Sequence, residues 1–265
     1  MEAREAEGSM AESFLEIRGL EKSFGGLKAI ADLSFSVPKG SIYAIIGPNG
    51  AGKTTLFNML TSIYRPTSGD ILFEGRSITG LAPYVLARMG IGRTFQNLQV
   101  FMNMTALENV MVGCHMKGSK GILAAAFRLP AVLKEERRLR QAALEALEFC
   151  GLSDTADRPA SSLPYGILKK LEIARALAAG PKLLLMDEPA AGLNDTETME
   201  LSGLISQIRD SGVTILLVEH NMGLVMEISD RVLVLNYGRR LAEGTPRQVQ
   251  MDPKVIEAYL GGSAD

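Results

Sequence analysis

Short apolar runs separated by turn signals open the pattern from Phe14 onward: FLEIRGL, then LSFSVPKG, then SIYAIIG, the last apolar enough to predict a central strand buried on both faces. Runs of the same kind recur at ILFEG, KLLLMD, VTILLVEH and RVLVLNYG, with helix-period segments between most of them. That alternation predicts an α/β domain with a largely parallel core sheet. Between residues 97 and 175 the strands drop out. In their place KEERRLRQAALEALEFCGL sets Leu139, Ala143, Leu147 and Cys150 at spacings of three and four on one helix face, and its charges read as the solvated side. The expectation there is a helical subdomain inserted into the core. From Asp230 the pattern predicts a hairpin, VLVLN then RRLAEG around a Tyr237-Gly238 turn, followed by a closing helix with Thr245 as N-cap and Pro246 as its first residue.

Length and composition narrow this without redirecting it. A chain of 265 residues holds one large α/β domain or two modest ones, and we expect a tail over 1–12 and a single domain over 13–265. With 28 basic against 30 acidic side chains, the net charge of -2 offers no nucleic-acid surface. Two cysteines, Cys114 and Cys150, form no disulfide framework and fit a reducing cytosol. Cys114-His115 with only His220 elsewhere supplies too few ligands for zinc. MEAREAEGSMAES lacks the basic-then-apolar order of a secretory signal. The apolar stretches GILAAAF and LLLM fall short of the roughly 18 residues that span a bilayer, so a membrane role requires a separate membrane partner.

The densest chemistry lies in GPNGAGKTT, residues 47–55, directly after SIYAIIG. Gly47, Gly52, Lys53 and Thr54 satisfy G-x-x-x-x-G-K-[ST] in the strand-loop-helix setting that the motif needs; a plain glycine turn is the alternative. Such a loop curls so that successive N–H groups, here from Gly47, Pro48's neighbours Asn49, Gly50 and Ala51, and on to Thr55, face a phosphate chain. Lys53 adds a charge to the β and γ phosphates and the Thr54 hydroxyl suits Mg²⁺.

KLLLMDEP ends an apolar strand on two adjacent carboxylates. Either the strand simply stops at a polar turn, or a cation compensates the buried charge. In the second case Asp187 holds Mg²⁺ through water and Glu188 polarises the water that attacks the γ-phosphate. His220 ends a third apolar strand, where α/β ligands bind, and beside these motifs it reads as a γ-phosphate contact. Gln96 in GRTFQNL can coordinate Mg²⁺ and touch the attacking water, and Phe24 in EKSFGG can stack on adenine.

Phe24, the phosphate loop, Gln96, LPYGILKK, KLLLMDEP, AAGLND and VEH follow one another in an order and spacing that resembles the nucleotide-binding subunit of ATP-binding cassette (ABC) transporters, over nearly the whole chain from residue 14. GRTFQNLQVF with MTALENV, LPYG with KKLEIARAL, DEPAAGLN and a C-terminal EGTP with AYLG are similar to the branched-chain amino-acid uptake ATPases. The resemblance implies a P-loop NTPase core with a mixed sheet, an antiparallel β-subdomain and an inserted α-helical subdomain. It implies ATP and Mg²⁺ as ligands and a head-to-tail dimer with a second ABC ATPase. Each ATP is then held between one phosphate loop and the other subunit's signature, here Leu163, Tyr165 and Gly166. It implies an integral-membrane permease that docks near Gln96, an extracytoplasmic solute-binding protein, and a cytoplasmic place on the inner face of the membrane. An exporter of lipidic cargo, a permease-free ABC ATPase and a nucleotide-gated dimerisation module share much of this pattern. Two departures stand out. Asn194 replaces a frequent aspartate, and LPYGI replaces L-S-G-G-Q, losing a hydroxyl, an amide and, at Pro164, an N–H.

Overall fold

The structure, a computed structural model, describes residues 13–114 and 130–260. The expected tail, His115 of the Cys-His pair and the GILAAAF run lie outside the described residues. The chain divides into two compact units, one of residues up to Pro83 and from Ile208 onward, the other from Tyr84 to Gln207.

In the first unit, with elements numbered along the chain, β1 (Leu15–Phe24), β2 (Leu27–Val37), β4 (Ser68–Phe73) and β5 (Arg76–Ser77) form an antiparallel sheet in the order β2-β1-β4-β5. Its alternation is legible in the burial: Leu33, Phe35 and Val37 point inward while Ser34 and Ser36 are exposed. The second sheet of this unit centres on β3 (Ile42–Ile46), flanked by β8 (Thr214–Val218) and β9 (Arg231–Asn236), both parallel to it. Every residue of β3 is buried, which is why its sequence reads as an unbroken apolar run. β10 (Arg239–Gly244) pairs antiparallel to β9, so the sheet is mixed. Tyr237 and Gly238 make the tight turn of this hairpin with φ of 45° and 73°, the left-handed pair that two-residue turns require. α7 (Met222–Ile228) lies between β8 and β9. Thr245 and Gln248 form a reciprocal capping box on α8 (Pro246–Gln250). α9 (Pro253–Leu260) follows and buries Val255 with Ala44, Ile46, Val232, Val234 and Val249.

The second unit contains the parallel pair β6 (Ile91–Arg93) and β7 (Leu183–Asp187), with α2 (Pro83–Met89) leading into β6. Between the two strands α3 (Ala106–Cys114), α4 (Pro130–Phe149) and α5 (Tyr165–Ala178) pack on one another, and among the described residues of this stretch the only β feature is one isolated bridge, Thr105 to Pro159. α3 and α5 approach so closely that a Cβ on Gly113 would lie 2.1 Å from the Arg175 carbonyl. The predicted face is buried at Ala143 and Leu147 of α4 and at Cys150 just beyond it, with Leu139 at its half-exposed edge. Burial pushes the Cys150 thiol up to about 12, so Cys150 is a packing residue and not a nucleophile; Cys114 is buried as well. α6 (Asp195–Asp210) follows β7. No described helix is long and apolar enough to cross a membrane.

Candidate functional site

In the first unit β3 runs into the phosphate loop, and α1 (Lys53–Leu60) starts from Gly52 with φ of 105°. Gly47 has no room for a side chain: a Cβ there would sit 2.2 Å from the Leu235 carbonyl oxygen. Gly238 of the β9–β10 turn donates its N–H to Ala51 at 2.9 Å, so the hairpin braces the loop from behind. Asn49 and Gly50 are exposed at the crest. Lys53 arches back over the loop, its Nζ 2.6 Å from the Gly47 carbonyl and 3.1 Å from that of Pro48. This glycine-walled cradle, capped by an ammonium at a helix N-terminus, fits a chain of phosphates. Pro48, Asn49, Gly50 and Ala51 also line a cavity of about 690 Å³ together with Tyr237 of the hairpin and Lys254 and Glu257 of α9.

Phe24 ends β1 with its ring exposed, edge-on to Tyr64 at 5.2 Å between centroids and with the Lys22 ammonium 4.9 Å above it. Tyr64 escaped the sequence reading, although an exposed aromatic shortly after the phosphate-loop helix was a signal. His220 is exposed just beyond β8. The neighbouring Glu219, 1% exposed, folds back to accept the N–H groups of His220 and Asn221 at 2.9 and 3.1 Å, which fixes the turn that carries the histidine. Tyr259 of α9 was also unforeseen: burial raises its pKa, and the backbone N–H of Gly47 at the root of the phosphate loop opposes that rise.

In the second unit β7 delivers Asp187 and Glu188 as its sequence predicts. Asp187 is buried and its Oδ2 accepts a hydrogen bond from Arg93 Nη2 at 2.7 Å, both side chains being 8% exposed. Glu188 has φ of 47°, a left-handed conformation that costs a residue with a Cβ and recurs at functional turns. Its Oε2 accepts from Gln96 Nε2 at 2.7 Å. The structure therefore brings two predicted residues, Gln96 and Glu188, into direct contact, and gives Asp187 a cationic partner from the chain itself. Asp187 and the Thr54 hydroxyl are hard oxygen donors, the ligand class that suits Mg²⁺.

The signature segment starts α5. Leu163 is buried and seats the turn. Pro164 is the N-cap, with φ of -60° and ψ of 157°, and no side chain caps the helix. The N–H groups of the first turn meet no capping side chain, and a helix N-terminus offers such groups to an anion. Tyr165 donates its hydroxyl to the Ala191 carbonyl at 3.3 Å and lays its ring on Gly192, tying the signature to the loop after β7. Asn194 in that loop caps α6 reciprocally with Glu197, each backbone N–H meeting the other's side-chain oxygen at 3.0 Å. Asparagine and aspartate are equivalent N-caps, which accounts for this departure locally. Glu197 in turn abuts Gly166: a Cβ on the glycine would lie 2.5 Å from its Oε1.

The family described as "ABC transporter" matches residues 30–191, and the family described as "Branched-chain amino acid ATP-binding cassette transporter" matches residues 239–265. The chain is 46% identical to the high-affinity branched-chain amino acid transport ATP-binding protein BraF of Pseudomonas aeruginosa, over 95% of this chain and 99% of that protein. Against the corresponding LivG protein of Escherichia coli the identity is 45%, with the same coverage. The structure matches that of an ATP-binding cassette of an ABC transporter in its ADP conformation with a TM-score of 0.83 at 37% identity, over 94% of this chain and 99% of that one. The chain belongs to the ABC transporter family, in its branched-chain amino acid ATP-binding cassettes, and is an ATPase.

Proposed function

We propose that this chain hydrolyses ATP to drive the import of branched-chain amino acids, working on the inner face of a membrane with permease subunits and, through them, an extracytoplasmic solute-binding protein. The observation that carries the proposal is the identity of 46% to a branched-chain amino acid transport ATP-binding protein over 95% of the chain, joined to a phosphate cradle that only glycine permits at Gly47.

Each residue then has a task. Gly47 and the backbone N–H groups up to Thr55 hold the phosphates, Lys53 neutralises the β and γ oxygens, and Phe24 carries the adenine ring on its face. Thr54 and Asp187 would hold Mg²⁺, which would supply positive charge against the negative charge that develops on the phosphates. Glu188 accepts a proton from water as the water oxygen bonds to the γ-phosphorus and the bond to the β-phosphate oxygen breaks. Gln96 orients Glu188 and that water, and His220 meets the γ-phosphate. A second ATPase, identical or paralogous, presents its own Leu163, Tyr165 and Gly166 head-to-tail, closing on the phosphates mainly through backbone N–H groups.

Affinity purification from solubilised membranes tests the transport reading: an integral-membrane permease should co-purify, and its repeated absence would refute the import role. The signature is tested by Gly166→Asp. Its carboxylate would stand beside Glu197 as well as facing phosphate, and turnover should fall by about tenfold to a hundredfold with loss of cooperativity in ATP. Pro164→Ser, which restores a hydroxyl at an N-cap, should keep full turnover.

A further inference from the structure

Helix α5 carries three charged residues that no step above employs: Lys169, Glu172 and Arg175, spaced by three along one side of the helix. Lys169 is 3% exposed and Glu172 2%. Ionised groups at such depth persist only when other polar groups receive them. Hydrogen bonds join all three to one short stretch, the backbone of residues 95–99. Lys169 Nζ donates to the Gln96 carbonyl at 3.1 Å, and Glu172 Oε1 accepts the Phe95 N–H at 3.2 Å. Glu172 also interacts with the backbone of Gln99, whose carbonyl accepts from Arg175 Nη1. Both ends of the stretch, and the residue whose side chain meets Glu188, are thus held by one helix.

That helix begins at the signature. The Lys169 ammonium lies 5.8 Å from the centre of the Tyr165 ring, and Tyr165 reaches the loop after β7 through Ala191. An apolar α5 face could bury the stretch but could not hold its backbone in register, because dispersion contacts are non-directional whereas hydrogen bonds fix donor and acceptor positions.

We propose that Lys169, Glu172 and Arg175 are positioning residues: they lock the backbone of 95–99 to the signature helix, so that Gln96 stays on Glu188 and a displacement of either element is carried to the other. The proposal rests on the assignment of Glu188 as the base.

The test uses the full chain purified with its permease. Glu172→Leu should lower kcat by about tenfold to a hundredfold, the loss expected for hydrogen bonds to a charged group, and leave KM for ATP within about twofold. Glu172→Gln, which keeps a carbonyl acceptor, should recover most of that rate. Amide hydrogen exchange should accelerate at residues 95–99 in Glu172→Leu and stay at the wild-type rate in β3 and β8. In a Gln96→Ala background Glu172→Leu should cost nothing further. Lys169→Met, which removes a single hydrogen bond and keeps the apolar stem, repeats each measurement if Glu172→Leu does not fold. A kcat loss of equal size in the Gln96→Ala background, or unchanged exchange at 95–99, overturns the proposal. If instead Glu188→Gln retains full turnover while exchange at 95–99 responds as described, the base assignment fails and the clamp stands.

Discussion

Glu188→Gln is expected to cut steady-state ATP turnover by about a hundredfold to ten-thousandfold while ATP affinity stays within about threefold, because a positioned general base contributes in that range. The substitution is nearly isosteric, and the new side-chain carbonyl can still accept from Gln96 Nε2, which lies 2.7 Å from the native carboxylate. The turn at φ of 47° is equally accessible to glutamine and glutamate. What disappears is basicity, with geometry held constant. Phosphate release and binding of a fluorescent ATP analogue, measured on the same preparation, separate the two. Turnover at the wild-type rate would remove Glu188 from the base role and transfer the search to His220.

The second large effect concerns stability. Arg93→Met should destabilise the protein by about 3–5 kcal/mol, the usual penalty when one member of a buried ion pair is deleted and its partner is left uncompensated. Arg93 and Asp187 are both 8% exposed at 2.7 Å, so solvent screens the pair little. The companion variant Asp187→Asn in the Arg93→Met background should recover most of the loss, since a neutral amide needs no counter-charge. Urea midpoints of the three proteins, compared with wild type, decide it. A loss below about 1 kcal/mol in Arg93→Met would place the pair among exposed ion pairs, which contribute little.

The carboxylate at the end of KLLLMD illustrates how far sequence reaches. Desolvation calls for a cation or a hydrogen-bond partner for Asp187, and the sequence offers a metal brought by nucleotide, with a plain polar turn as the alternative. The structure adds Arg93, 94 residues away, delivered by the parallel pairing that sets Arg93 opposite Leu185, two residues short of Asp187. Nothing local marks that arginine, because register between strands so far apart in sequence is a property of packing. Glu172 was hidden for a related reason. In KKLEIARAL it passes for one more charge on a helix, and only the fold shows that its side faces a loop backbone and not water.

By itself the sequence determined the elements with local causes: the buried strand β3, the glycine cradle, the two carboxylates closing β7, the Tyr237-Gly238 hairpin turn and the capped helix that follows it. Period, turn chemistry and caps act over a few residues, so a few residues are enough to declare them. Tertiary structure alone decided the partners: Arg93 for Asp187, Gln96 for Glu188 across 92 residues, Lys169 and Glu172 for the loop that carries Gln96. A side chain's chemistry states what kind of partner it needs. Which of the many eligible groups meets it depends on chain segments brought together by burying apolar surface elsewhere, and that information is distributed over the whole fold.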